Sequence, residues 1–152
     1  MLSNLASDTQ EPLNYVNDLD VAPSGAVYFS SSTELGVRRD GARGFYDTMQ
    51  GYLMNAMRGD VSGRLLKYDP ETGATTTLAA GLHYANGVAV ARDETFVLVA
   101  ETNRARVSRL WLQGPSKGTM DVFVDGLPRS PTASRAPTTA AFGSPASPKP
   151  HP

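Results

Sequence analysis

Few side chains in this sequence have both the type and the spacing for chemistry. His83 has one counterpart, His151, far along the chain, so no histidine pair stands at metal-ligand spacing and a packed or surface histidine is the expectation. Ser30-Ser31-Ser32 offers three hydroxyls, but no Gly-x-Ser-x-Gly surrounds them to build a nucleophile elbow. Glu101 closes an apolar run and reads as a surface or blade-edge carboxylate. Arg38, Arg39 and Arg43 form a basic cluster in a Gly-containing stretch that reads as a solvated loop. Asn17 and Asn86 each stand just before a predicted strand, where an amide side chain can satisfy backbone groups at the strand start. There is no cysteine, so disulfides and thiolate metal sites are excluded.

The elements that position these residues repeat. Ala85–Thr102 reads as strand, short polar turn at Arg92-Asp93-Glu94, then the continuously apolar strand Phe96–Val99. Residues 17–29 lie on residues 86–98 without a gap, at an offset of 69, with Asn17 on Asn86 and Leu19 on Val88. Arg64–Gly73, continuing to Leu82, lies on Arg109–Gly118, continuing to Leu127, at an offset of 45. Two four-strand units of this size are the pattern of a β-propeller, one blade per repeat. The difference in offset predicts an insertion of about 24 residues in the first unit, between Thr33 and Ser62. Within it, residues 45–58 read as a helix carrying Tyr46, Met49, Leu53, Ala56 and Met57 on one face, ended by Gly59-Asp60. That face is expected to pack on the blades, with a lid over an apolar pocket as the other use of such an insertion.

In order, residues 1–14 read as an irregular lead-in. Residues 15–32 form a hairpin turning at Pro23-Ser24-Gly25. Residues 63–69 and 74–80 form a second hairpin, and strands at 105–112 and 119–125 complete the second unit. From Arg129 to Pro152 the chain is dense in Pro, Ala, Ser and Thr, a composition that buries too little apolar surface to order itself. This tail is expected to be disordered, or to be an out-of-frame reading of the following blade, because GC-rich codons for its start can be read one base earlier as a turn-rich blade opening. The net charge of −1 and the absence of a basic stripe argue against nucleic acid as a partner. No apolar run is long enough to span a membrane, and the first residues lack the basic start and apolar core of a signal peptide.

Asn17-Asp-Leu-Asp-Val, Gly63-Arg-Leu-Leu-Lys-Tyr-Asp-Pro, Ala85-Asn-Gly-Val-Ala-Val, Phe96-Val-Leu-Val-Ala-Glu-Thr and Arg106-Val-Ser-Arg-Leu-Trp-Leu-Gln-Gly-Pro, in that order, resemble the strictosidine synthase-like family, which includes the adipocyte plasma membrane-associated protein relatives. The resemblance covers roughly residues 14–128, so residues 15–128 are taken as the conserved propeller region. It implies an all-β, six-bladed propeller of which this chain holds two to three blades. It further implies a small-molecule substrate and a secretory-pathway or vacuolar location.

The implied activity is an amine–aldehyde (Pictet–Spengler) condensation in alkaloid-type biosynthesis, with a glutamate as general base in a late blade that this sequence does not match. The distantly similar calcium-dependent paraoxonase and gluconolactonase propellers imply a rival reading, ester or lactone hydrolysis. There, Asn17 and Asn86 match by motif two of the asparagines that hold the ion. Two amide oxygens are too few for Ca²⁺, so no cofactor is expected for this chain alone. A third reading is an inactive truncated product, whose open blades promote self-association.

Overall fold

The computed structural model describes residues 5–37, 41 and 44–128. The expectations for Arg38, Arg39, Arg43 and the tail from Arg129 lie outside the described residues. Eight strands form two four-stranded antiparallel sheets, each a meander in chain order. The first sheet holds β1 (Val16–Val21), β2 (Val27–Ser31), β3 (Gly63–Tyr68) and β4 (Thr75–Leu82). The second holds β5 (Ala85–Val90), β6 (Phe96–Glu101), β7 (Arg106–Trp111) and β8 (Met120–Val124). The described residues therefore make two four-stranded blades, with helix α1 (Thr48–Arg58) inserted between β2 and β3.

The blades correspond strand by strand, at the predicted offset of 69 on β1 and β5 and of 45 on β4 and β8, but at other offsets on the two strands between. Val16↔Ser31 in the first blade corresponds to Ala85↔Glu101 in the second, so β1 and β5 keep the offset of 69 while β2 and β6 stand 70 apart. Thr95 is the extra residue, because Gly25 N–H→Ala22 O and Glu94 N–H→Ala91 O close equivalent turns just before it. Ser31↔Arg64 corresponds to Glu101↔Arg106, which makes Arg106, not Arg109, the counterpart of Arg64. The predicted match was three residues out of register on β3. An odd slip turns a strand over, so it placed the wrong side chains toward the other blade. Ser31 to Arg64 spans 33 residues and Glu101 to Arg106 spans 5, so the insertion is 28 residues (33 − 5) rather than 24.

Burial follows the pleat. Val88, Val90, Val97, Val99 and Leu110 project from the second blade into Ala22, Ala26, Tyr28, Leu65 and Leu82 of the first. A smaller cluster of Ala6, Phe29 and Leu66, flanked by Leu13 and Tyr68, lies on the other side of the first blade under the lead-in. The lead-in also reaches β4, where Ser7 N–H donates to Thr75 O (2.7 Å) and Thr75 N–H to Ser7 Oγ (2.9 Å).

The blades are also joined by side chains. Asp18 and Asp20 on β1 accept the backbone N–H groups of Val88 (3.0 Å) and Val90 (2.8 Å) on β5. At the hairpin end, both oxygens of Glu94 accept from Ser24, one from its N–H (2.7 Å) and one from its hydroxyl (2.9 Å). Gly63 pairs with Leu82 on β4 at the point where the chain turns toward Ala85, the start of β5. A Cβ there would lie 2.5 Å from Leu82 O and 3.0 Å from Ala85 N, so only glycine fits.

Candidate functional site

The inner strands β1 and β5 begin at the end of the blades where β2 and β6 finish and where the 28-residue insertion leaves the sheet. Each inner strand starts with a bulge, between Val16 and Leu19 in one blade and between Ala85 and Val88 in the other. Asn17 and Asn86 occupy these two bulges. A bulge re-aims a side chain out of the regular alternation, and both asparagines use it in the same way. Asn17 Nδ2 donates to Ser32 Oγ (2.8 Å), and Asn86 Nδ2 donates to Thr102 Oγ1 (3.2 Å), a hydroxyl at the equivalent place past the second strand. Ser32 passes the bond on to Ala85 O (2.6 Å), tying the two blades together.

With its nitrogen so engaged, Asn86 is left with Oδ1 buried and without a hydrogen-bond partner; among the described residues Ser31 Oγ shares that condition. An unpaired buried carbonyl oxygen costs about 1–3 kcal/mol. It is the feature that a hard cation, or a donor on a ligand, would relieve. No group of three or more His, Asp or Glu side chains that could hold a metal exists among the described residues. The two asparagines fit as part of a ligand set and not as a whole one.

The strands also align two residues earlier. Tyr15 and Tyr84 precede Asn17 and Asn86 by the same step, and their rings meet edge to face at 6.1 Å. Tyr52 of α1 packs on Tyr84 at 5.3 Å. Burial, and then the hydrogen bond with Tyr15, raise the pKa of Tyr84. Its backbone sits in the left-handed region at φ 57°, uncommon for so large a side chain. The repeat Tyr-x-Asn was readable in the sequence and is the signal that would have found these tyrosines.

Around them lies a polar network built by the insertion. Asp60 Oδ2 accepts from Thr33 Oγ1 (2.6 Å), Asn55 Nδ2 (2.7 Å) and Ser62 Oγ (2.8 Å), and Oδ1 accepts from Ser62 N–H (2.9 Å). Burial alone would raise the Asp60 pKa, but the bonds from Thr33, Ser62 and Asn55 outweigh it and hold the carboxyl below its usual range. Asn55 Oδ1 in turn accepts from Asn103 Nδ2 (2.7 Å) of the second blade. A cavity of about 380 Å³ opens here, lined by Tyr52, Ala56, Asp60, His83, Thr102 and Asn103 among others. His83 is half-buried on its wall, and burial together with the nearby Arg104 lowers its pKa, so it is neutral at neutral pH.

Glu101 is not at the surface. It is fully buried, accepting from Arg106 Nε (2.8 Å), Ser108 Oγ (2.6 Å) and His83 N–H (3.0 Å). Burial would raise its pKa, but those partners overcome the effect and lower it. Glu101 is a committed structural anion. Ser30–Ser32 are buried in the blade as well. The one Gly-x-Ser-x-Gly in the sequence, Gly114–Gly118, is an exposed strand-to-strand turn rather than the strand-to-helix turn of a nucleophile elbow. The apolar side of α1 does not pack on the blades: Met49, Leu53 and Met57 are exposed, and Gly51 and Asn55 are the buried residues of the helix.

The strictosidine synthase family pattern matches residues 17–115, from the first bulge asparagine to the last hairpin. The chain belongs to the strictosidine synthase family. It is 41% identical over 131 residues to the adipocyte plasma membrane-associated protein of Salmo salar, covering 86% of this chain and 29% of that protein. It is 35% identical over 133 residues to protein strictosidine synthase-like 10 of Arabidopsis thaliana, covering 87% of this chain and 32% of that one. The chain thus spans about a third of the length of the relatives it matches. Among solved structures, a gluconolactonase from Xanthomonas campestris superposes with a TM-score of 0.57 at 21% identity, over 85% of this chain and 40% of that one. This likeness establishes the propeller-type fold of the strictosidine synthase-family chain.

Proposed function

We propose that this strictosidine synthase-family chain contributes two blades to a six-bladed enzyme acting on a small molecule, and that Asn17 and Asn86 each donate Oδ1 to a hard cation there. The reaction this favours is metal-assisted hydrolysis of an ester or lactone. The observation that carries the reading is the buried, unpartnered Oδ1 of Asn86, set by the same bulge and amide-to-hydroxyl bond that set Asn17. Amide and carboxylate oxygens suit Ca²⁺, which takes six to eight of them. When bound, such an ion polarises a carbonyl oxygen. The two asparagines supply a minority of the donors, and the rest belong to blades outside this chain.

Amine–aldehyde condensation, the reaction for which the family is named, is the second reading. It draws support from the family match and from the cavity walled by Tyr52 and the uncharged His83. Neither Glu101 nor Asp60 suits the general base it needs, because both carboxyls are held ionised by hydrogen bonds and are weak bases near pH 7. That base would come from a later blade. A secretory-pathway or vacuolar setting accompanies either reading, and the 152-residue chain alone is expected to be inactive.

The test uses the full-length protein. Calcium titration by calorimetry is expected to show binding that Asn86→Ala weakens at least about tenfold, and chelation is expected to abolish aryl-ester or lactone turnover. Calcium affinity unchanged in Asn86→Ala overturns the cation assignment. Condensation of an amine with an aldehyde that survives chelation establishes the second reading instead.

A further inference from the structure

The two Tyr-x-Asn steps that lead into the inner strands are not bent alike. Tyr84 stands in the left-handed region at φ 57°, and no other aromatic among the described residues does; Tyr15, its counterpart in the first blade, has no positive φ. A residue of that size keeps such a conformation only where its surroundings over-determine it. The bent step is also the one whose asparagine carries the buried, unpartnered Oδ1. Asn86 is 7% exposed, whereas Asn17 is partly open to solvent.

The bend connects these two facts. Tyr84 N–H donates to Leu82 O (3.1 Å), which turns the chain sharply between β4 and β5. Tyr84 O accepts from Thr102 N–H (3.2 Å) and His83 O from Asn103 N–H (3.3 Å), so the turn is docked on the segment past β6. Asn86 Nδ2 donates to the hydroxyl of that same Thr102 (3.2 Å). A side-chain amide is planar, with the acceptor on one arm and the donors on the other, so fixing Nδ2 on Thr102 fixes the direction of Oδ1. Tyr84 by its backbone and Asn86 by its side chain grip one residue, and the aim of Oδ1 depends on the turn. What holds the turn is aromatic. Tyr84 is 4% exposed, and its ring meets Tyr15 edge to face at 6.1 Å and Tyr52 of α1 edge to face at 5.3 Å, an arrangement aromatic pairs prefer.

Given Asn86 as a cation donor, the reading on which this rests, we propose that Tyr84 is a positioning residue of the cation site. Held between Tyr15 and Tyr52, it keeps the left-handed turn that aims Asn86 Oδ1, and helix α1 thereby sets part of the affinity of that site through Tyr52.

Calorimetric calcium titration of the full-length protein tests it. Tyr84→Gly suits the left-handed turn but removes the ring that is clamped, and is expected to weaken calcium binding about tenfold or more, the usual effect of losing a group that orients a metal ligand. Tyr52→Ala is expected to weaken it about threefold to tenfold, the worth of one edge-to-face ring pair, and Tyr52→Phe, which keeps the ring, to restore it. Leu53→Ala, at an exposed neighbouring position of the helix, is expected to bind as the wild type does. Near-ultraviolet circular dichroism gives a second readout: a calcium-dependent tyrosine signal is expected in the wild type and is expected to be absent from Asn86→Ala and Tyr84→Gly. Thermal melts without calcium check folding, and if Tyr84→Gly does not fold, Tyr52→Ala, on the helix and outside the blades, decides. Calcium affinity lost in Asn86→Ala but unchanged in Tyr84→Gly and Tyr52→Ala overturns the positioning role and leaves the cation donor standing. Affinity unchanged in Asn86→Ala as well overturns both. A loss in Tyr52→Ala that Tyr52→Phe does not restore overturns the part given to the helix.

Discussion

Two carboxylates reach across from β1 to complete the hydrogen bonding of β5, and their removal has a defined cost. Val90 is buried, so Asp20→Ala leaves its N–H without an acceptor and is expected to destabilise the chain by about 1–3 kcal/mol. Chemical denaturation measures the loss, and hydrogen exchange should localise it to Val90, since Val88 keeps its bond to Asp18. Glu101 behaves differently because its partners are charged and polar at once. Its folded pKa is depressed, so its contribution is fully present above the ordinary carboxyl value and is lost as pH falls through the folded value. Glu101→Gln is expected to be less stable near pH 7 and to show a flatter fall in Tm as pH is lowered below about 4.5. An unchanged acid slope would show that Glu101 does not govern it. The sequence places Glu101 at a strand end, and strand ends are commonly exposed. Its burial was illegible because the partners that make it tolerable, Arg106 and Ser108, reach it only once β7 pairs with β6.

Among the elements, β3 depends on one residue with no side chain. Gly63→Ala forces a methyl against Leu82 O and Ala85 N, both backbone atoms that cannot swing aside. The expected cost is about 1–3 kcal/mol, read in a denaturant titration. Ordinary stability of that variant would mean the pairing of β3 with β4 can shift there at no cost. Helix α1 depends on Asp47, whose Oδ1 accepts from Gln50 N–H (2.9 Å). Asp47→Ala is expected to cost the helix about 1 kcal/mol, seen as reduced helical circular dichroism before the sheets melt. The existence of this helix was legible from spacing. Its orientation was not, because periodicity groups residues onto faces without saying which face is inward. Here Asn55 found Asp60 and Asn103, and those bonds outranked the apolar stripe. The slip on β3 has a similar root: Arg-Leu occurs at residues 64 and 109, and two letters cannot fix a register that long-range pairing decides.

At the scale of the whole molecule, the two-blade architecture was legible in the paired hairpins, because each repeats alternating apolar residues around a polar turn. The mouth was less so, since its members come from the lead to each inner strand, the ends of β2 and β6, and the insertion. What the arc exposes is apolar strand surface: Val16, Leu19 and Val21 on β1 and Met120, Val122 and Val124 on β8. Exposed strands of that kind template pairing. The 152-residue chain is expected to sediment with species heavier than its 16.2 kDa as concentration rises. A single species of that mass throughout would show that these strands are tolerated in water.

The Asp18–Asp20 bridge also has a direction. The residues of β5 that stand where Asp18 and Asp20 stand on β1 are Gly87 and Ala89, which have no carboxylate to extend. The first blade can therefore fasten a follower in this way, and the second cannot. A ring made of tandem copies of the first blade would close every seam by this device, and one made of copies of the second would close none. Blades that share an outline are thus not interchangeable parts: the inner strand of the first carries a two-carboxylate address for its follower, and the inner strand of the second carries none.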